Sequence, residues 1–192
     1  KIAADKAARV VSVITREQIE RAGATSVNDL LKLTVGVDVR QRGGFGVQSD
    51  ISINGGSFDQ ITVLLNGVSV NNPQTGHLVS DFPVSPDEIE RIEILEGAAG
   101  RLFGSQAFSG AINVVTRKVV KNSLRANVAA GSFGTVGAGA NAGIMTGGFS
   151  HFVSGNFTRS DGGTENSAFN LGNAFYNGTY RDKGVQASWQ AG

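Results

Sequence analysis

The chain has 192 residues with 17 Lys+Arg against 16 Asp+Glu, a formal charge of +1, so its charge does not call for nucleic acid as a bulk partner. Cysteine is absent, which excludes disulfides, Cys-based zinc sites and thiol catalysis but leaves the compartment open. No run is long and apolar enough for a transmembrane helix. The chain opens at Lys1 with neither Met nor an apolar leader, so a signal segment is expected to have been removed or to lie upstream.

Composition changes near residue 121. Residues 1–121 hold 26 of the 33 charged residues and all three prolines, whereas 122–192 hold seven charges and 14 of the 27 glycines. Two physical environments are implied. In the first, β-branched Val10 to Ile14 reads as a strand. Thr15 with Gln18 forms a capping box that opens a helix over 16–22, ended by Gly23. Ser26 with Asp29 starts a second short helix with Val27, Leu30 and Leu31 on one face. Ile61 to Leu65, Asn66-Gly67 and Val68 to Val70 predict a hairpin, because Asn and Gly accept the positive φ of a type I′ turn. Ser85, Pro86 and Glu88 form another capping box leading into 91–96, where Ile92 and Ile94 point inward. The expectation is a small α+β domain with glycine-rich loops at 41–49, 54–60 and 71–82.

The second part alternates. Leu124, Val128, Val136, Ile144, Val185 and Trp189 fall on apolar faces, opposite Arg125, Asn127, Asn141, Gln186 and the glycines between them. Runs of about ten such residues fit membrane β-barrel strands, and equally a soluble β-sandwich with one wet face. The expected connections favour the barrel: turns at 131–135, 146–148 and 180–184, and a long polar loop over 160–170, put short turns at one end and longer loops at the other. About five strands cannot close a barrel, since open edges in lipid cost several kcal/mol per unpaired group. A larger protein is therefore expected.

Val11 to Arg40, Ile51 to Gly67 and above all Ile89 to Lys118 (IERIEILEGAAGRLFGSQAFSGAINVVTRK) resemble the plug domain of TonB-dependent outer-membrane receptors. The pattern falls on Arg91, Ile92, Glu93, Gly97, Gly104, Gly110, Ile112, Asn113 and Thr116. Residues 122–192 resemble the first strands of the family's 22-stranded barrel, a lumen too wide for side chains to fill and therefore plugged. The resemblance implies an α+β plug domain over 1–121 and the first barrel strands, part of a large transmembrane β-barrel, over 122–192. The sequence departs from the family at Asn54-Gly55, Asn66-Gly67 and Gly97-Ala98, and no TonB box is visible before Val10. It also implies active import across the bacterial outer membrane, no enzymatic activity, no cofactor and no resident metal. The implied partners are the TonB energy-coupling complex, a small-molecule nutrient and outer-membrane lipid. A non-transporting surface receptor with partner lipoproteins is the alternative.

In the family the substrate rests on outward plug apices. Here these carry Arg42, Phe45, Gln48, Ser57, Asp59, Asn71, Asn72, Gln74, Thr75 and His77, mostly neutral donors and acceptors. An anionic iron chelate normally meets several cations, and only Arg40 and Arg42 are near, so a large polar neutral ligand fits better. Among the branches, the Gly-Gly-Phe-Gly loop, the Asn-Pro-Gln-Thr-Gly-His segment and the Phe-Ser-Gly-Ala-Ile-Asn ending are most similar to vitamin B12 (cobalamin) receptors, with siderophore or haem uptake next. Arg91 and Glu93 are expected as plug–barrel ionic contacts. Blander motifs weigh little. Gly137-x-Gly139-x-x-Ala142 lies inside a strand with no helix after it, which argues against nucleotide binding. His151 reads as a wall residue, and the loop with Asp161, Glu165 and Asn166 as a solvated connection rather than a calcium site.

Overall fold

The computed structural model describes residues 10–34, 37–41, 49–53, 61–70, 82–96 and 110–192. They fall into two compact units, one within residues 1–117 and the other comprising 82–84 and 118–192 among the described residues.

The first unit is built on a five-stranded mixed sheet. Strand β1 (Val10–Thr15) is an edge, paired antiparallel with β6 (Ile89–Glu96). β6 pairs antiparallel with β7 (Gly110–Thr116), which runs parallel to β4 (Ile61–Leu65), and β4 turns into the two-residue β5 (Val68–Ser69). A separate hairpin joins β2 (Val37–Gln41) to β3 (Ser49–Ile53). Cross-strand partners share a face of a sheet, and one face is thereby composed of Ile14, Ile92, Ile94, Ile112, Val114, Val63 and Leu65, all buried. On the other face Leu64, Leu95 and Ala111 form a smaller buried cluster.

Local chemistry sets the ends of these elements. In α1 (Arg16–Ala22) the Thr15 hydroxyl accepts from the Gln18 amide and the Gln18 side chain accepts from the Thr15 N–H, closing the capping box, while Gly23 sits at φ 58°. In α2 (Val27–Lys32) the Ser26 hydroxyl caps the Asp29 amide, and Val27, Leu30 and Leu31 are buried. The capping box at Ser85 and Glu88 is present, but it closes only a 3₁₀ turn over Pro86–Glu88, and β6 starts at Ile89, two residues before the expected strand. A contact with no local sequence signature supports this turn. Arg16 Nη1 donates to the Pro86 and Ile89 carbonyls, 2.8 Å each, and its Nε donates to Glu20 at 2.8 Å.

The second unit is a five-stranded antiparallel meander in which each strand pairs with its sequence neighbours: β8 (Ser123–Ala130), β9 (Val136–Thr146), β10 (Phe149–Ser160), β11 (Phe169–Asp182) and β12 (Val185–Ala191). The connections are 131–135 and 161–168 at one end, and the tight turns 147–148 and 183–184 at the other. The expected boundaries shift slightly, because Ser160 and Phe169 still pair across β10 and β11. The longer loop is tied to its neighbour: the Asp161 amide donates to the Phe133 carbonyl at 3.0 Å, and the Ser160 and Thr135 hydroxyls lie 2.9 Å apart.

Candidate functional site

The ten residues expected to meet a ligand, Arg42, Phe45, Gln48, Ser57, Asp59, Asn71, Asn72, Gln74, Thr75 and His77, all lie outside the described residues. Their anchors are described. Segment 42–48 leaves the β2–β3 hairpin at the Gln41–Ser49 pair, and 54–60 joins β3 to β4. The strands that flank these segments in the chain bury Val37 of β2, Ile51 and Ile53 of β3 and Ile61 of β4.

Arg91 and Glu93 occupy the less buried face of the plug sheet, on alternate positions of β6. Arg91 Nε donates to Glu93 Oε1 at 2.7 Å, and Glu93 Oε2 accepts from Asn113 Nδ2 at 2.9 Å. Asn113 Oδ1 in turn accepts from the Gly67 amide at 3.0 Å. The two charges are thus partnered within their own sheet. They belong to a chain of hydrogen bonds that runs from β6 through β7 to the β4–β5 turn. A parallel tie holds the same turn: Asn66 Oδ1 accepts from the Thr116 amide at 2.9 Å and from its hydroxyl at 3.1 Å. Asn66 and Gly67 take φ 53° and 84°, the left-handed backbone a type I′ turn requires. Asn113 and Thr116 therefore serve the turn made by Asn66 and Gly67. The roles of these two residues in fixing the turn were not apparent from the sequence, since the bonding partners lie far apart along the chain.

The meander has two chemically distinct faces. Following the pairing from strand to strand, Leu124, Val128, Val136, Ala138, Ala140, Ala142, Ile144, Phe149, Val153, Phe157, Val185 and Trp189 share one face. Its large side chains are exposed, with Leu124 at 79% and Val128 at 81%. The opposite face carries Arg125, Asn127, Asn141, Ser154, Asn156, Thr158, Asn173, Asn177 and Gln186, with Asn156 Nδ2 donating to Asn173 Oδ1 at 3.2 Å. Leaving large apolar groups in water costs about 25 cal/mol per Å², so the apolar face requires a nonaqueous surrounding. Near the tight-turn end it also bears a cluster of rings. The Phe149 and Tyr180 centroids are 4.6 Å apart, His151 Nδ1 lies 2.9 Å from Tyr176 Oη, and Trp189 Nε1 donates to that oxygen at 3.3 Å. Alternating aromatics at 149 and 151 and at 176 and 180 were the available sequence signal for this cluster. Among the described residues no group of three or more His, Asp or Glu side chains is placed to hold a metal.

The description of the TonB-dependent receptor plug domain matches residues 3–111 of the chain. The chain belongs to this family. It is similar to the vitamin B12 transporter BtuB of Vibrio vulnificus strain CMCP6, 38% identical over 105 residues, which is 55% of this chain and 17% of that protein. The fold is similar to the pyoverdine outer-membrane receptor FpvA of Pseudomonas aeruginosa PAO1, with a TM-score of 0.76 over 97% of this chain and 27% of that one at 15% identity. It is also similar to the ferric citrate transporter FecA, with a TM-score of 0.73 over 93% of this chain and 30% of that one at 24% identity. The chain spans less than a third of the length of each. The structural neighbours cover the plug and the meander alike, so the architecture is a plug domain followed by antiparallel strands of a large outer-membrane β-barrel. In the family the plug sits inside the barrel of an outer-membrane protein, and the relatives are transporters and receptors rather than enzymes.

Proposed function

We propose that this chain supplies the plug, residues 1–121, and the first barrel strands, 122–192, of a receptor that imports cobalamin through the outer membrane under the drive of the TonB complex. The observation that carries the reading is the 38% identity to a vitamin B12 transporter over 105 residues. The neutral chemistry of Gln48, Asn71, Asn72, Gln74 and Thr75 supports it, since a large polar uncharged ligand is held by dispersed donors and acceptors around an aromatic such as Phe45. Arg42, Ser57, Asp59 and His77 complete the proposed contact set. Arg91 and Glu93, with their partners already in place, are proposed to present a preformed polar surface to the barrel wall. The apolar face of the meander is proposed to meet lipid. An iron-chelate receptor is the second reading, favoured by the pyoverdine and ferric citrate receptors among the structural neighbours.

Calorimetry on the receptor containing this segment tests the proposal. Replacing Phe45, Asn72 and Gln74 together by Ala is expected to weaken cobalamin binding at least about tenfold, or about 1.4 kcal/mol. Unchanged affinity in the triple variant removes these loops from the site. Absence of cobalamin binding beside clear uptake of a ferric chelate replaces the ligand.

A further inference from the structure

The ring cluster on the apolar face has a defined polarity. Indole N–H is a donor only, so Tyr176 Oη accepts from Trp189. The assignment that leaves no hydroxyl hydrogen without an acceptor then has Tyr176 donating to His151 Nδ1, 2.9 Å away. A neutral imidazole with Nδ1 as acceptor carries its proton on Nε2. On that assignment the remaining N–H of His151 is on Nε2, the ring nitrogen not bonded to Tyr176. Trp189 is held against the sheet because its partner Gly178 has no side chain: a Cβ there would stand inside the indole ring. The wall is therefore built by packing as well as by sequence.

Three cations lie at the same end, of which Arg181 is bonded to Gln186 on the opposite face and the other two are Lys183 and Lys121. Lys183 forms the β11–β12 turn. The Met145 amide donates to Asn122 Oδ1 at 2.7 Å, which pins the segment before β8, and Lys121 with it, beside the 147–148 turn. The neighbouring Asp182 carboxylate accepts from Tyr180 Oη at 3.5 Å. The long-loop end has the opposite balance, with Arg159 paired to Asp161 and Glu165 beside them. An anionic headgroup is therefore favoured at the tight-turn rim and not at the loop rim. Tight turns mark the periplasmic side of outer-membrane barrels, which selects a phospholipid of the inner leaflet over lipopolysaccharide.

We infer that this corner is a phospholipid site. The His151 Nε2–H donates to an acyl ester carbonyl, Lys183 meets the phosphate, and Phe149, Tyr180 and Trp189 pack on the glycerol and upper acyl chains. Lys183 lies about 17 Å of extended chain beyond Gly178, the cross-strand partner of His151. Strand tilt and the reach of the lysine shorten that separation toward the span from ester to headgroup. The inference rests on the proposal that the apolar face meets lipid.

Native mass spectrometry of the receptor containing this segment, titrated with phosphatidylglycerol, its diether analogue and lipopolysaccharide, tests it. Wild type is expected to retain phosphatidylglycerol. His151→Phe and Lys183→Glu are each expected to weaken retention about fivefold, the scale of one lost hydrogen bond. His151→Gln, which keeps an N–H donor, is expected to restore it. Wild type should hold the diether lipid more weakly than the ester lipid, and His151→Phe should not distinguish them. Equal binding of ester and diether lipids by wild type, unchanged retention in His151→Phe, or retention of lipopolysaccharide alone overturns the site. Val153→Cys, labelled with a fluorophore and challenged with brominated lipid, separates the two levels. Quenching at Val153 with His151→Phe unchanged removes only the headgroup site, whereas no quenching removes the lipid face itself.

Discussion

At the start of α2, Asp29 shows how one carboxylate is worth more to the fold than its charge. Burial raises its pKa, but hydrogen bonds from Ser26 and Thr25, and the hydrogen bond and charge of Lys32, outweigh that and hold it below the ordinary carboxylate value. A depressed folded-state pKa means that the stabilisation is complete above the unfolded carboxylate's pKa and is lost as pH falls through the folded value. Asp29→Asn keeps the shape and removes the charge. It is expected to cost about 0.5–1 kcal/mol at neutral pH, within the range for helix caps and first-turn acids, and nothing at a pH where the wild-type carboxyl is itself protonated. Amide exchange of Leu30 and Leu31, followed from pH 7 downward, reads this directly. A difference between variant and wild type that stays constant with pH would remove the carboxylate from the account.

At the scale of elements, what the sequence disclosed was what is local. The capping residues Thr15 with Gln18 and Ser26 with Asp29 lie three apart, and the Asn66-Gly67 turn is contiguous, so each was legible and each formed. Strand pairing was not. Nothing near Val10–Thr15 says that it pairs with β6, or that β4 runs parallel to β7, because those choices are settled by which faces bury together. The bond from Arg16 to the Pro86 carbonyl was equally hidden. The candidate ligand loops were reached only through resemblance, since dispersed neutral residues leave no spacing pattern of their own. Asn66 makes the distinction testable. Asn66→Ala removes the acceptor of the Thr116 amide and hydroxyl and places Ala at φ 53°. With about 1–3 kcal/mol for the stranded buried donors and about 1–2 for the left-handed backbone, a loss of about 2–5 kcal/mol is expected. Asn66→Asp, which keeps the acceptor oxygen and tolerates the same backbone, is expected to cost less than half as much. Urea unfolding of the receptor, monitored by exchange at β7, compares the two, and equal losses would show that the turn does not depend on that oxygen.

At the scale of the whole molecule, the two faces of the meander pose an incompatibility that lipid against one face and water against the other would resolve. One face exposes Leu124, Val128, Val136, Ile144, Phe157 and Val185, a run of exposed apolar side chains of the kind that marks an interaction or membrane surface. The other carries Asn127, Asn141, Asn156 and Gln186, which lipid would not tolerate unpaired. A soluble sandwich would instead bury the first face against a second sheet. Among the described residues, strands β8 and β12 each pair on one side only, so the sheet also calls for neighbours to satisfy its edges. Single cysteines placed in the receptor at Leu124, Val128, Val136, Ile144, Val185 and Trp189, labelled with a fluorophore and exposed to a lipid-confined quencher, should all be quenched. Cysteines at Asn127, Asn141 and Gln186 should be protected from that quencher. Because register sends alternate residues to opposite faces, the result must alternate along every strand. Equal quenching at Val128 and Asn127 would mean that this face does not meet lipid, and the apolar band would then have to be covered by protein.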